Sequence, residues 1–386
     1  MIPYGKQDIS KQDIEKVLKV LSSDMLTQGP IIPKFEQALA KYCKAKYAVA
    51  VSSGTAALHL AYIASEIGDN DIIWTTPNTF AATANAALYC GAKPDFIDIN
   101  PNTYNISVEK LEEKLIQAKK DNKLPKAIIP VHFAGQAAEL KKIDALSRKY
   151  GFAVIEDAAH AIGTKYKDGK YIGDCKYSNI AAFSFHPVKT ITTGEGGAAV
   201  TNNKKTYKKL LMLRSHGIIK TDKMIEKYGQ WHYQMQALGF NYRITDIQAA
   251  LGISQLNRLN RFITKRRKII RQYNEAFKNI QHLTIPYEKE KGNSAFHLYV
   301  LQINFKKIKK SRKQIMKKLA AQNIGTQVHY IPVYRHPYYK KLFGYDYKKY
   351  PATENYYKKA LSIPLYPKMT DLQIEYVIEK IIEIFK

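Results

Sequence analysis

The sequence predicts an α/β protein, with a mostly parallel sheet flanked by helices on both faces and a smaller C-terminal α+β domain. Three observations carry that expectation. Over the first two-thirds of the chain, short apolar runs alternate with helical periodicity, the pattern of βαβ units. The runs are apolar nearly throughout, as strands covered on both faces must be. After about residue 255 the alternation stops and basic helical stretches take over, so the domains are drawn at 1–255, with the N-terminal segment, and 256–386.

Ser10 and Asp13 carry a capping-box pattern that opens a helix with the apolar stripe Ile14, Val17, Leu18 and Leu21. Tyr47–Val51 (YAVAV) is a strand running directly into Ser52-Ser53-Gly54-Thr55 and the helical AALHLAYIA. Further strands are expected at Ile72–Thr75, Asp95–Ile99, Ala127–His132, Phe152–Glu156, Ile180–Phe185 and Ala198–Thr201. Helices such as Ala81–Leu88 and Leu140–Arg148 lie between them. The second part holds the strand Phe296–Ile303 and a final amphipathic helix, Asp371–Phe385.

Charge is the most unusual compositional feature. Lys and Arg number 61 against 33 Asp and Glu, a formal +28, which raises nucleic acid as a partner. The two densest runs, Arg258–Arg271 and Lys306–Lys318, carry apolar residues at helical spacing and read as solvated helix faces. With no zinc-finger spacing and no RNP-like aromatic motif, nucleic-acid binding stays the rival class, and a basic surface also attracts anionic small molecules. Cys43, Cys90 and Cys175 lie far apart, indicating neither a disulfide framework nor a metal site. No apolar run approaches the roughly 20 residues of a spanning helix, and MIPYGKQDIS lacks the apolar core of a signal peptide, so a soluble cytoplasmic protein is expected.

Ligands of open parallel sheets gather at the carboxyl ends of the strands, and three motifs fall there. The strand YAVAV ends in SSGTAAL, where a helix N-terminus near Thr55 could hold a phosphate or simply be an ordinary capped helix. FAVIE ends in Asp157, with His160 three residues on; a buried acid there needs a partner, structural or catalytic. Lys189 lies in Phe183–Gly197 (FSFHPVKTITTGEGG), between a strand and the glycines 194, 196 and 197, with Ser184 as a further phosphate donor. Most lysines only solvate a surface, but one held between two strands loses water, which lowers its pKa and yields a nucleophilic amine. Phosphate turn, buried acid and lysine together match the parts of a pyridoxal phosphate site. Rival cofactor motifs fail: there is no GxGxxG, and Gly163–Lys170 (GTKYKDGK) is misspaced for a Walker loop and precedes Tyr171.

With these residues in place the chain resembles the sugar aminotransferases of the DegT/DnrJ/EryC1/StrS type, which have the type I aminotransferase fold. The resemblance runs through LTQGP, SSGTAALHLA, TTPNTFAATANA, IEDAAHAIG, SFHPVKTITTGEGG, LRSHGI and GFNYRITDIQAALG. It implies that Lys189 is the Schiff-base lysine, that Asp157 pairs with the pyridine nitrogen, that Phe80 stacks on the ring and that His160 lies near its phenolic oxygen. Thr55, Ala56 and Ser184 would hold the phosphate, and Asn241 would complete it from a second subunit of a homodimer. Relatives that replace the lysine with histidine perform deoxygenation; Lys189 favours transamination. FSFHPVKTITT and QVHYIPVYRHPYY (327–339) look most like enzymes aminating C4 of UDP-2-acetamido-2,6-dideoxy-β-L-arabino-hex-4-ulose with L-glutamate, in the pseudaminic acid pathway. Bacillosamine-type, GDP-sugar and dTDP-sugar relatives share much of the pattern, as would a non-catalytic protein of the same fold. Arg214, His329 and Tyr334 are the expected substrate-side residues, against the alternative that they pack an interface.

Overall fold

A computed structural model describes residues 1–289 and 293–386. Strand β1 (Tyr47–Val51) sends Ala48 and Ala50 to one face and Val49 and Val51 to the other, and both sets are buried. A strand buried on both faces needs helices on both sides of the sheet. The other strands of that sheet are β2 (Ile72–Thr75), β3 (Lys93–Phe96), β4 (Ala127–Ile129), β5 (Ala153–Asp157), β6 (Ile180–Ser184) and β7 (Gly197–Thr201). They lie in the order β1-β7-β6-β5-β4-β2-β3, with β7 antiparallel to both its neighbours and every other pairing parallel. Six carboxyl ends therefore open on one side.

Helices 31–43, 108–120 and 140–150 cover one face, and helices 54–64, 81–89 and 204–214 the other. A short antiparallel pair, β8 (Ile218–Ile219) and β9 (Gln234–Met235), forms a separate two-stranded sheet. The second core is built on a three-stranded antiparallel sheet of β10 (Leu283–Thr284), β11 (Tyr299–Ile303) and β12 (Ala360–Ile363). Helices 259–277, 312–321 and 371–382 pack on it, and so does Ile2, through a bridge to Ile324.

Several expected strands are shorter in the structure: Ala127–His132 is cut to Ala127–Ile129, with Val131 only bridging Asp157, and Ile180–Phe185 ends at Ser184. β3 pairs with β2 over Lys93–Phe96, Ile97 N–H still bonds to Thr75 O at 2.8 Å where β2 ends, and Ile99 turns away to bridge Ile106. Phe296–Leu298 likewise packs as irregular chain before β11. The first helix, Lys11–Leu21, carries the expected capping box, with Asp13 N–H bonded to Ser10 Oγ at 3.4 Å and Ser10 N–H to Asp13 Oδ2 at 2.8 Å. Its stripe faces outward, however: Ile14, Leu18 and Leu21 are exposed while Asp13 and Val20 are buried. The run Arg258–Arg271 is also not wholly a solvated face, since Arg266 sits on the buried stripe of helix 259–277.

One distant carboxylate organises the start of helix 31–43. Asp246, fully buried, accepts from the N–H groups of Gly29 (2.6 Å), Ile31 (2.8 Å) and Ile32 (3.2 Å), capping helix 31–43 in place of a local residue. Asp246→Ala strands these donors and is expected to cost about 2–4 kcal/mol, read as a lower urea midpoint with unchanged slope.

Candidate active site

Asp157 ends β5 and points to the same face as Ile155, toward helices 54–64 and 81–89. Its Oδ2 accepts the Thr83 hydroxyl at 2.6 Å and its Oδ1 the Ala159 N–H at 3.1 Å. Thr83 Oγ1 is also 2.7 Å from the Thr79 hydroxyl, four residues earlier, and 3.2 Å from Phe80 O, but the carboxylate is its shortest contact and can only accept. Two donors fix the carboxylate and leave each oxygen a lone pair for a further one.

Lys189 stands in the loop that joins β6 to β7. That loop folds back on Phe185, whose carbonyl accepts from Thr193 N–H (3.0 Å) and the Thr192 hydroxyl (3.0 Å), while Lys189 N–H bonds to His186 O at 2.8 Å. Burial pulls the Lys189 ammonium down to about 8, against the opposing attraction of the Asp157 carboxylate. Protonation falls as pH rises through about 8, so the free amine and the rate of carbonyl capture rise with it. The apoprotein should take up pyridoxal phosphate nearly tenfold faster per pH unit below about 8 and at a constant rate above it, which stopped-flow absorbance would read.

Three histidines and a tyrosine close the other side. His160, buried, accepts the Ala134 N–H on Nδ1 at 3.3 Å and lies 2.9 Å from Tyr330 Oη through Nε2. Its ring is 4.4 Å from that of His297. His329 bonds to Ser362 Oγ at 2.8 Å. Burial, followed by the charge of Lys189, holds His160 well below its usual pKa and His329 at about 3. Burial first, then Asp157, pushes the Tyr330 phenol upward. These groups are neutral near pH 7, an apolar but hydrogen-bonding wall around one amine.

At the end of β1, Ser53 caps helix 54–64 by accepting the Ala56 N–H at 3.0 Å. The Ala56 donor is thus engaged, while the N–H groups of Gly54 and Thr55 make no bond to the chain among the described residues. A side chain on Gly54 would stand 2.7 Å from Ser184 Cβ, and one on Gly197 would stand 2.4 Å from Ser53 O. The glycines let three chain segments converge on a cradle with free donors at a helix N-terminus, which suits a phosphate. Phe80, at the start of helix 81–89, is 60% exposed and its ring lies 6.1 Å from that of Tyr330. An aromatic face left open beside the acid, the lysine and the phosphate cradle is what a flat cofactor ring requires, so the residues fit pyridoxal phosphate.

Of the remaining expected residues, the structure brings His329 within electrostatic reach of Lys189 and leaves two engaged elsewhere. Arg214 bonds to Glu36 and to the Ala50 carbonyl beneath β1. Tyr334 donates to Glu354 Oε1 at 2.9 Å inside an aromatic cluster with Phe96 and Tyr350. Asn241 is exposed, on the segment that pairs with Val51 and Ser52. Sequence reasoning missed Thr79, Thr83, His297 and Tyr330. The first two share a helical spacing of four in an otherwise alanine-rich segment, a signal that was available.

Fold and site together define a pyridoxal phosphate-dependent aminotransferase. The chain belongs to the DegT/DnrJ/EryC1/StrS aminotransferase family, whose sequence profile matches residues 7–382. It is 41% identical to the spore coat polysaccharide biosynthesis protein SpsC of Bacillus subtilis (strain 168), covering 100% of this chain and 97% of that one. It is 40% identical to a UDP-4-amino-4,6-dideoxy-N-acetyl-beta-L-altrosamine transaminase of Campylobacter jejuni (strain 81-176), over 100% of this chain and 98% of that one. Among solved structures, Helicobacter pylori PseC, an aminotransferase involved in the biosynthesis of pseudoaminic acid, superposes with a TM-score of 0.90 at 32% identity, covering 100% and 99% of the two chains. No helix among the described residues is long and apolar enough to cross a membrane.

Proposed function

We propose that the protein transfers the amino group of L-glutamate to C4 of UDP-2-acetamido-2,6-dideoxy-β-L-arabino-hex-4-ulose, giving UDP-4-amino-4,6-dideoxy-N-acetyl-β-L-altrosamine and 2-oxoglutarate. The observation that carries amino transfer is the desolvated Lys189 beside Asp157, itself held by Thr83. The named activity of the Campylobacter relative supports the choice of sugar. The basic surface, +28 overall, would draw in the pyrophosphate of a nucleotide sugar.

In this reading the Gly54–Thr55 donors and Ser184 hold the cofactor phosphate, and Asp157 keeps a proton on the ring nitrogen. Phe80 covers one face of the ring, and His160 lies beside it. Bound there, pyridoxal phosphate supplies an electron sink for the charge left when a proton leaves the donor carbon. Lys189, as the free amine, removes that proton, carries it across and later returns one to C4 of the sugar. The uncharged wall of His160, His329 and Tyr330 keeps competing charges from the amine, and His329 is our substrate-side assignment.

We place two copies in the working enzyme. The outward stripe Ile14, Leu18 and Leu21 and the arm carrying Trp231, Met235 and Leu238 expose an apolar surface that single soluble chains rarely show, and Leu238 is 81% exposed. A second copy would cover it and bring Asn241 toward a phosphate. Sedimentation should give twice the 44.1 kDa chain mass, and Leu238→Asp should lower it and weaken cofactor retention.

The test is a panel of UDP-, GDP- and dTDP-linked 4-keto sugars with L-glutamate, the aminated product identified by mass and its C4 configuration by NMR. Amination of the UDP-β-L-arabino sugar alone supports the assignment. Preference for the epimeric UDP-4-keto sugar of the bacillosamine route, or for a GDP or dTDP sugar, would remove the substrate and leave the transaminase.

A further inference from the structure

Arg266 is 1% exposed and forms no ion pair among the described residues. Its Nη1 instead donates to the carbonyls of Leu365 (2.9 Å), His297 (3.2 Å) and Phe296 (3.4 Å), and its Nε has no partner among those residues. Burial pulls it down to about 10, so it stays charged at neutral pH. A buried cation met only by backbone carbonyls is costly and stabilises little beyond the segments it grips. What it grips is the chain on either side of His297, together with the exit of β12.

His297 is buried, with its Nδ1 unpartnered among the described residues and its ring 4.4 Å from that of His160. Its backbone N–H bonds to Ala134 O at 2.9 Å, and Ala134 N–H is the donor to His160 Nδ1 at 3.3 Å. The next residue, Gly135, at φ +92°, accepts on its carbonyl from Thr164 Oγ1 (2.6 Å) and Ser294 Oγ (2.9 Å). A side chain at Gly135 would stand 2.8 Å from Phe296 N, so the two segments can approach only because that residue is glycine. Ala134 is thereby clamped between the small-domain segment and His160.

We infer that His297, held in place by Arg266, is a positioning residue that keeps His160 bonded to Tyr330 as the neutral tautomer with its proton on Nε2. Nδ1 is committed to accepting from Ala134, so the one ring proton must sit on Nε2, where it donates to Tyr330 Oη at 2.9 Å. Protonating Nδ1 would set N–H against N–H, and the His297 ring excludes the water that could relieve it. That tautomer leaves the Tyr330 O–H free to donate into the cleft. The groups facing His160 are Lys189, His329, His297 and Tyr330, with Asp157 acting on Tyr330 and Arg266 acting on His297. The inference deepens the cofactor-site reading of His160 and rests on it.

The test is imidazole ¹⁵N NMR of the cofactor-loaded protein between pH 5 and 9, with His160 assigned from His160→Asn. Wild type should show the Nε2–H tautomer throughout, with no protonation near pH 6.5. In His297→Ala, water reaches the ring and the His160 midpoint should rise by at least tenfold in proton affinity. His297→Phe, which keeps an aromatic ring there, should restore the wild-type pattern, and Arg266→Met should shift in the direction of His297→Ala. A wild-type Nδ1–H tautomer, ordinary titration near 6.5, or a folded His297→Ala indistinguishable from wild type would overturn the inference. If wild type takes up no cofactor on Lys189, the functional reading fails separately, and the same spectra of the unloaded protein still decide the positioning of His160.

Discussion

Lys189→Ala is expected to reduce amino transfer by roughly 10⁴-fold, because one side chain performs both the covalent attachment of the cofactor and the proton movement that follows. The fold should survive: the Lys189 backbone bond to His186 does not need its side chain, and the loop is held by Thr192 and Thr193 on Phe185. Removing a desolvated ammonium takes away a strain rather than a support. The phosphate cradle at Gly54, Thr55 and Ser184 is untouched, so the variant should still bind pyridoxal phosphate without covalent capture. Single-turnover release of 2-oxoglutarate from L-glutamate reads the loss. Residual activity within tenfold of wild type would remove Lys189 from the chemistry.

The second large effect is expected at Asp157→Asn, on the order of 10³-fold in kcat, since the amide keeps the shape and gives up the charge. The variant has a second signature. The Asp157 carboxylate raises the Lys189 pKa against burial, so its loss should move the pH profile of cofactor capture below about 8. Activity and profile must move together if both residues share one site. Thr83→Val, which removes one of the two donors to the carboxylate, should produce a smaller loss of about tenfold, the scale of one charge-assisted hydrogen bond.

How far the sequence reveals this site depends on how locally each part is built. Asp157, Lys189 and the Ser53–Thr55 turn each lie at the end of an apolar run, and a mostly parallel sheet sends such ends to one side, so their convergence follows from topology. Thr83 lies beyond that logic, because its role depends on how helix 81–89 packs on β5. His297 and Arg266 belong to segments packed around the second core. Arg266 nonetheless falls in line with Phe262, Ile269, Ile270 and Tyr273, a periodicity that places a cation on the buried stripe. Its residue type argued for solvent and its position argued for the core, and position prevailed because three carbonyls were there to receive it.

The first helix shows the opposite case. Its stripe was legible in the sequence, but the described residues supply no core for it, and Asp13 is turned inward to meet Arg258 and Gln255. Arg214 and Tyr334 carried the chemistry expected of substrate ligands, yet each has an acidic neighbour in its own chain that no local pattern predicts.

The most direct test of the central claim is to load the protein with pyridoxal phosphate, reduce it with borohydride, and locate the phosphopyridoxyl mark by peptide mass spectrometry, with and without prior L-glutamate. The mark is predicted on Lys189, and on no other lysine at comparable yield, and prior glutamate should abolish it by freeing the amine. A mark on another lysine, or one on Lys189 that glutamate leaves unchanged, would contradict the assignment of Lys189 as the residue that carries amino transfer.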